Sequence, residues 1–472
     1  IAFLAIISLP LFSHPWKPAH YIIVDTDGGV DDMKAITMLL SSPNVRVLAV
    51  TASPGVLTAE NAYIKVRSLL NSFRHEGIPV GINRFGRYKP ADFPVAIKSV
   101  WGEENGIDPQ KAPDCLDLIR DILTAEKTKI TFVSLGSMST AYRAFTTLPV
   151  FRQQVKGLVW SADGVSEEDG FNYNLDKDAS VMMLRQDVKI GVVRKFEQKN
   201  TEFYDKDLLE KIAGIKNIYA KKITSFFESD PVKSHKFAYS GTDEMVPVFL
   251  HYPDLFINKV AGNISYSAPA DLKGLREAVI KILAGKTVVE NQLMREISED
   301  PEFYFEDIRP YVSEIIEKYG RNEWIAGVLA SELHRHLGVF EIIGVKMGIR
   351  AREYFNTGVD EFNVVSYAGS TPPLSCMNDG IQVSTGATPG HGLLTVRNDT
   401  ILKPAVEFSY LNNKIRISLK PNIAELISSE LKEINFIYGL DSDIYWELVR
   451  KNTIKYWLIF SRHEIFDIEV VE

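Results

Sequence analysis

Cysteine is almost absent from this chain. Among 472 residues there are two, Cys115 and Cys376. That is too few for a disulfide framework, and their spacing suggests no bond between them. A basic excess is missing as well: 53 Lys and Arg stand against 61 Asp and Glu, for a net charge of −8. Binding to nucleic acid through bulk electrostatics is therefore disfavoured. Beyond residue 15, no stretch approaches the roughly 18–20 apolar residues that span a bilayer. Internal repeats and low-complexity tracts are lacking too. The apolar and charged fractions, 45% and 24%, are those of an ordinary globular protein. The length favours two or more domains over one.

The first residues, "IAFLAIISLPLFSHP", are apolar and end in small and turn residues. They resemble the apolar core and tail of a secretory signal peptide over residues 1–15, which predicts export to the periplasm or medium. A buried first strand is the competing reading.

From Tyr21 the pattern alternates. "YIIV", "VRVLAVTA", "KITFVSLGS", "VKGLVWSAD" and "DVKIGVVR" read as strands. Between several of them lie amphipathic helical stretches such as "MKAITMLL", "AENAYIKVRSLLNSF" and "STAYRAFTTL". This predicts an α/β domain over 16–285, an open and mostly parallel sheet with helices on both faces. Ligands of such sheets bind at the carboxyl ends of strands, where Asp25, Asp27, Leu135, Gly136 and Asp163 fall. A charged helical connector is expected over 286–321. A smaller α+β domain follows over 322–472. It opens with a helical stretch from Glu323 to Phe355 and continues through a Gly-, Ser- and Pro-rich loop, "AGSTPPLSCMNDG".

Four aspartates, Asp25, Asp27, Asp31 and Asp32, crowd the first strand-to-helix turn, "VDTDGGVDD". Two unit charges about 4 Å apart repel by roughly 4 kcal/mol at an effective dielectric near 20. A helix N-terminus offsets about half a charge. Capping or turn closure accounts for one or two of the four. The rest call for a cation or a proton. Oxygen ligands without His or Cys suggest Ca²⁺ ahead of Mg²⁺.

"DTDGGVDD" resembles the Asp-x-Asp-x-Gly-x-Asp-Asp motif of the inosine-uridine-preferring nucleoside hydrolase family. "VSLGSMSTA", "GFNYNLDKDAS" and "TDEMVPVFLHYPDLF" follow in family order, so the resemblance spans roughly 20–270. It implies that Asp27, Asp32, Asp243 and the Leu135 carbonyl hold calcium and that Asp31 is the general base. Asn172 would hydrogen-bond the ribose, and Asp25, behind the calcium ligands, would join it on the substrate-binding side. The implied reaction is hydrolysis of an N-glycosidic bond through an oxocarbenium-like transition state. Water is the nucleophile, so the anomeric centre inverts. The implied partner is a ribonucleoside or related riboside. Homo-oligomers are common in the family, although no interface is marked in the sequence. The chain departs from the family pattern at five places. Gly28 replaces Pro, Val56 a ribose-contacting Asn, "WSA" at Trp160–Ala162 a Met-Gly-Gly, Gly170 a ribose-binding Glu, and Thr242 the His before the last ligand. That His assists the departing base in part of the family. Phe237 and Tyr239 are candidates for stacking on the base, and core packing is the ordinary role for such rings.

In the second domain, "ELHRHLG" supplies His334 and His336, and Cys376 follows in "PPLSCMNDG". Two His and one Cys suit a zinc-type site with an open position, although an i,i+2 pair shares no helical face. His334, His336, Cys376, Asp379, Gln382, Thr385, Gly386, Thr388 and Gly390 keep a pattern similar to the FmdE family of formylmethanofuran dehydrogenase components over roughly 325–400. The resemblance implies Zn²⁺ or another transition metal on Cys376 and the histidines. Cys115 reads as a helix-side residue. Three functions stand: a calcium-assisted nucleoside hydrolase, a riboside-binding protein without turnover, and a metal-handling protein centred on the second domain.

Overall fold

A computed structural model describes residues 18–86, 93–162, 170–198, 201–233, 239–288 and 296–471. Residues 1–15, Asp163 and Phe237, singled out above, lie outside the described residues. The chain divides into two compact units. One comprises Pro18–Val288 with Glu353–Thr357, and the remaining described residues form the other.

The first unit is built on eight strands: β1 (His20–Thr26), β2 (Val45–Ala52), β3 (Val80–Ile82), β4 (Ile130–Ser134), β5 (Val155–Ala162), β6 (Ile190–Arg194), β7 (Phe256–Ala261) and β8 (Ile264–Pro269). Their order is β3-β2-β1-β4-β5-β6-β8-β7. All neighbours are parallel except β7 and β8. This is the α/β class expected from the alternation. β1, β2 and β4 are buried along their whole length apart from the first residues of β1, as parallel strands covered on both faces must be. The strand order reverses between β1 and β4, which opens a crevice at their carboxyl ends.

Helix α1 (Val30–Ser41) follows β1 and is buried everywhere except at Asp31. Its apolar residues Met33, Ile36, Met38 and Leu39 are wholly inaccessible and belong to the main core cluster. Burying each contributes about 1.5–3 kcal/mol. Deep seating on all sides fixes the helix axis, so its first turn is held rigidly at the crevice.

The second unit has a five-stranded sheet of β9 (Asn363–Ser366), β10 (Leu394–Val396), β11 (Ala405–Tyr410), β12 (Asn413–Leu419) and β13 (Phe466–Val470). The order is β10-β9-β11-β12-β13, mixed in direction. The helical stretch expected from Glu323 to Phe355 divides into Arg321–His334 and Val339–Phe355. A further helix, Met377–Thr385, takes up part of the segment read as loop. Glycines explain it: a Cβ on Gly344 would fall 2.2 Å from Met377 O, and one on Gly380 2.1 Å from Glu341 O. The two helices touch backbone to backbone, so tertiary contact overrides a weak local propensity. Among the described residues, no helix is long and apolar enough to cross a membrane.

Candidate active site and candidate metal centre

The site is assembled at the carboxyl ends of β1, β4 and β5. Asp25 closes β1 from within the sheet and is fully buried. Its Oδ1 accepts from Thr51 Oγ1 at 2.5 Å and Ser53 Oγ at 2.8 Å, both from the β2 side. Burial pushes its carboxyl up to about 7, against these hydrogen bonds. Asp27 lies just past the strand, 1% exposed, with Oδ2 lacking a hydrogen-bond partner. Asp32, in the first turn of α1, accepts from Thr26 Oγ1 at 2.6 Å and from the Asp27 amide at 3.2 Å. Asp243 arrives from far along the chain, just before the helix Met245–His251, and Ser161 Oγ of β5 donates to it.

Asp31, Asp32 and Asp243 offer oxygen atoms all within 4.8 Å of one another. Burial and mutual repulsion push Asp27, Asp32 and Asp243 well above the usual carboxylate range. This is the electrostatic signature of carboxylates that share one buried space without a counter-charge. Around them the backbone is pared away. A Cβ on Gly29 would stand 2.6 Å from Asp32 Oδ2, and one on Gly55 2.2 Å from Asp27 Oδ2. An unpartnered oxygen, a hard all-oxygen donor set and this cradle together fit a hard divalent cation.

Gly28 departs from the family proline for a visible reason. Its φ is +80°, with Leu57 Cδ1 2.9 Å from where a Cβ would be. Proline, fixed near −65°, cannot take that conformation.

The cluster forms the floor of a cleft of about 400 Å³. Val56, Phe93, Val95, Leu135, Phe171, Asn172, Lys195 and Thr242 are among its walls. Asp31 is the half-exposed carboxylate of the group, and Thr242 Oγ1 donates to its Oδ2. Thus the residue at the family's His position supports the carboxylate rather than reaching for a base. Asn172 Nδ2 donates to Leu135 O at 2.7 Å and Ser161 O at 3.2 Å. The expected ribose contact is therefore turned toward the carbonyl expected on the metal.

Sequence reasoning missed the aromatic wall. Phe93 and Phe171 meet edge to face at 5.5 Å within the cleft. Tyr239 instead packs on Phe227 at 5.1 Å in the core. Phe171 could have been found from its place beside Asn172. Phe93 follows a Pro-containing stretch with no periodicity to mark it. Also missed was a buried ion pair, Lys34 Nζ to Glu244 Oε1 at 2.5 Å, with both side chains fully inaccessible. Tyr204 lies 4.6 Å below the ammonium, and Glu244 Oε2 accepts from the Thr242 amide at 3.0 Å. The pair ties α1, which carries Asp31 and Asp32, to the turn that carries Asp243.

In the second unit, the helix Arg321–His334 ends at His334, and Arg335 takes a left-handed φ of 68°. That reversal answers the spacing objection: the two imidazoles come together with ring centroids 4.2 Å apart. His334 Nδ1 pairs with Asp379 Oδ2 at 2.7 Å, leaving a buried Nε2 without a partner. Both Nε2 atoms lie 3.5 Å from where a Cβ on Gly338 would be. The histidines fit a metal, with Asp379 orienting one of them. His334, His336 and Cys376 do not meet within the 4.8 Å that gathers the aspartates. Cys376 is half-buried, and burial, then Asp379, pushes its thiol up to about 11.

Residues 22–301, more than half of the chain, match the model of the inosine-uridine preferring nucleoside hydrolases. The chain belongs to that family. It is a nucleoside hydrolase by descent, and residues 333–445 match a second family, FmdE, of the molybdenum formylmethanofuran dehydrogenase operon. Among curated relatives of this nucleoside hydrolase is the pyrimidine-specific ribonucleoside hydrolase RihA of Photobacterium profundum. It is 25% identical over 260 residues, covering 50% of this chain and 81% of that protein. The enzyme of the same name from Salmonella paratyphi B is 24% identical over 256 residues, with coverage of 50% and 80%. A solved structure, the purine-preferring ribonucleoside hydrolase of Gardnerella vaginalis, aligns at 14% identity and TM-score 0.47, covering 57% of this chain and 99% of that one.

Proposed function

We propose that the first unit hydrolyses the N-glycosidic bond of ribonucleosides with the help of a calcium ion. The observation that carries this is the convergence of Asp31, Asp32 and Asp243 at the floor of a cleft large enough for a nucleoside. Asp27, Asp32, Asp243 and the Leu135 carbonyl would hold the ion. When bound, calcium supplies positive charge that gathers the ribose hydroxyls and acidifies a water.

The remaining work falls to the chain's own groups. Asp31, half-exposed and held by Thr242, takes a proton from the attacking water. The surrounding carboxylates stabilise positive charge as it develops on the ribosyl carbon. Asn172 gives up its bond to Leu135 O and turns its amide to the sugar. Phe93 and Phe171 flank the base. The curated relatives named above are pyrimidine-specific ribonucleoside hydrolases. In the second unit, His334 and His336 would hold a transition metal such as zinc, with Cys376 as third ligand after a side-chain movement.

Base release across purine, pyrimidine and nicotinamide ribosides, with and without calcium, tests the reading. Calcium-dependent release that Asp31→Asn abolishes is the expected result. The replacement of ribose contacts by Val56 and Gly170 favours a second reading, a riboside-binding protein without turnover. Riboside binding by wild type and Asp31→Asn, with release by neither, would establish that alternative.

A further inference from the structure

Among the described residues, the chemistry above assigns none to the departing base. A base leaves with the electron pair of the broken bond, and something must stabilise or protonate it. Thr242 stands at the position of the family's His, and its hydroxyl is already committed to Asp31. Asn172 donates to backbone carbonyls. Val56, Phe93, Pro94, Val95, Ala96 and Phe171, also described walls of the cleft, are apolar. Among the described residues of the cleft, one is cationic: Lys195.

Its place is fixed by the sheet. β6 ends at Arg194, so Lys195 is the first residue past a carboxyl end, on the edge where the aspartates gather. Val193 pairs in register with Ser161, the residue that donates to Asp243. Phe196 donates its amide to Gly241 O at 2.7 Å and packs on Phe203 at 5.5 Å. Lys195 is thereby stitched, one residue away on each strand of the stitch, to the turn that carries Thr242 and Asp243.

We propose that Lys195 is the leaving-group residue of this enzyme, and that it favours bases whose charge emerges on a carbonyl oxygen beside the glycosidic nitrogen, the 2-oxopyrimidines. This inference rests on the hydrolase reading. As the C1′–N bond breaks, its electron pair passes to the base and spreads onto the adjacent oxygen. The Lys195 ammonium donates a hydrogen bond to that oxygen and then a proton to the base. Water forms the new bond to C1′ and loses a proton to Asp31. The products are ribose and neutral base. The proton gained by Asp31 equals the one given by Lys195, and exchange with solvent resets both. An ammonium that meets developing negative charge within a protein cleft stabilises it more than it would in water.

The test compares kcat/KM for uridine and p-nitrophenyl β-D-riboside, using the full chain with calcium. p-Nitrophenolate departs without assistance, whereas uracil does not. In Lys195→Met, uridine hydrolysis falls about 10²-fold or more, the scale of general-acid catalysis. That loss exceeds the loss on the p-nitrophenyl riboside by at least about tenfold. Lys195→Arg, which keeps the charge and the hydrogen bond but cannot give up a proton, restores only part of the uridine rate. Equal losses on both substrates would overturn the proposal, because a merely structural role slows both alike. A wild-type protein that cleaves neither substrate fails the hydrolase reading itself, and this proposal with it. Cleavage of both with no Lys195-dependent difference fails the proposal alone.

Discussion

Asp31 differs from its neighbours in one respect that decides its role. Every other residue of α1 is buried, and Asp31 is the one that is partly exposed where the helix meets the cleft. Metal ligands can be enclosed, but a base must reach a water. Asp31→Asn keeps shape and removes the proton acceptor. We expect base release to drop by roughly 10²–10⁴-fold while calcium affinity, read by titration calorimetry, changes far less. Asp27→Asn should do the reverse and weaken calcium binding first. Equal effects of the two substitutions on calcium binding would merge their roles. Thr242→Val removes the hydroxyl that holds Asp31. A roughly tenfold fall in kcat with KM nearly unchanged is expected, equivalent to about 1.4 kcal/mol of barrier.

At the scale of elements, the turn Thr242–Glu244 fastens the site. Three consecutive side chains reach three different partners: Asp31, Ser161 and Lys34. The last of these is the most costly to break. Burial, with Asp31 nearby, works against the Glu244 carboxylate, and Lys34 opposes that push. Removing one partner of such a pair costs about 3–5 kcal/mol, whereas replacing both with apolar groups costs much less. Glu244→Gln should therefore lower the urea midpoint sharply, and Lys34→Met with Glu244→Met should recover most of it. A double variant as unstable as the single would refute this account. None of this pair was legible in the sequence, because Lys34 and Glu244 are 210 positions apart and each reads as a surface charge. The strands and the aspartates were legible for the opposite reason. Apolar runs and a dense charge cluster are local signals. The helix Met377–Thr385 was not, since its formation depends on glycine-mediated contact with another helix. Nor could spacing alone bring His334 to His336, because their meeting depends on the left-handed turn at Arg335.

For the molecule as a whole, the raised carboxylates make a prediction about pH. Burial raises Asp25 to about 7, above its unfolded value. Stability linked to it is present below about pH 4 and is lost as pH rises through 7. At about 1.36 kcal/mol per unit, this single group carries roughly 4 kcal/mol. Asp27, Asp32 and Asp243 shift in the same direction. Thermal midpoints of the chelated protein should therefore fall between about pH 4.5 and 7.5, by this linkage. Saturating calcium should flatten that slope, because the ion replaces the protons. A chelated protein whose midpoint rose over this range would contradict the buried-cluster picture.

The contact between Thr242 and Asp31 closes a separation of 211 residues. Closing so long a loop costs entropy before any contact repays it. A nascent chain that has delivered β1 and α1 thus holds an unfinished set of carboxylates until Asp243 has been synthesised and docked. Tight calcium binding would then mark a completed first domain. Occupancy by the ion would serve as a timestamp of folding, readable by arresting synthesis on either side of residue 243.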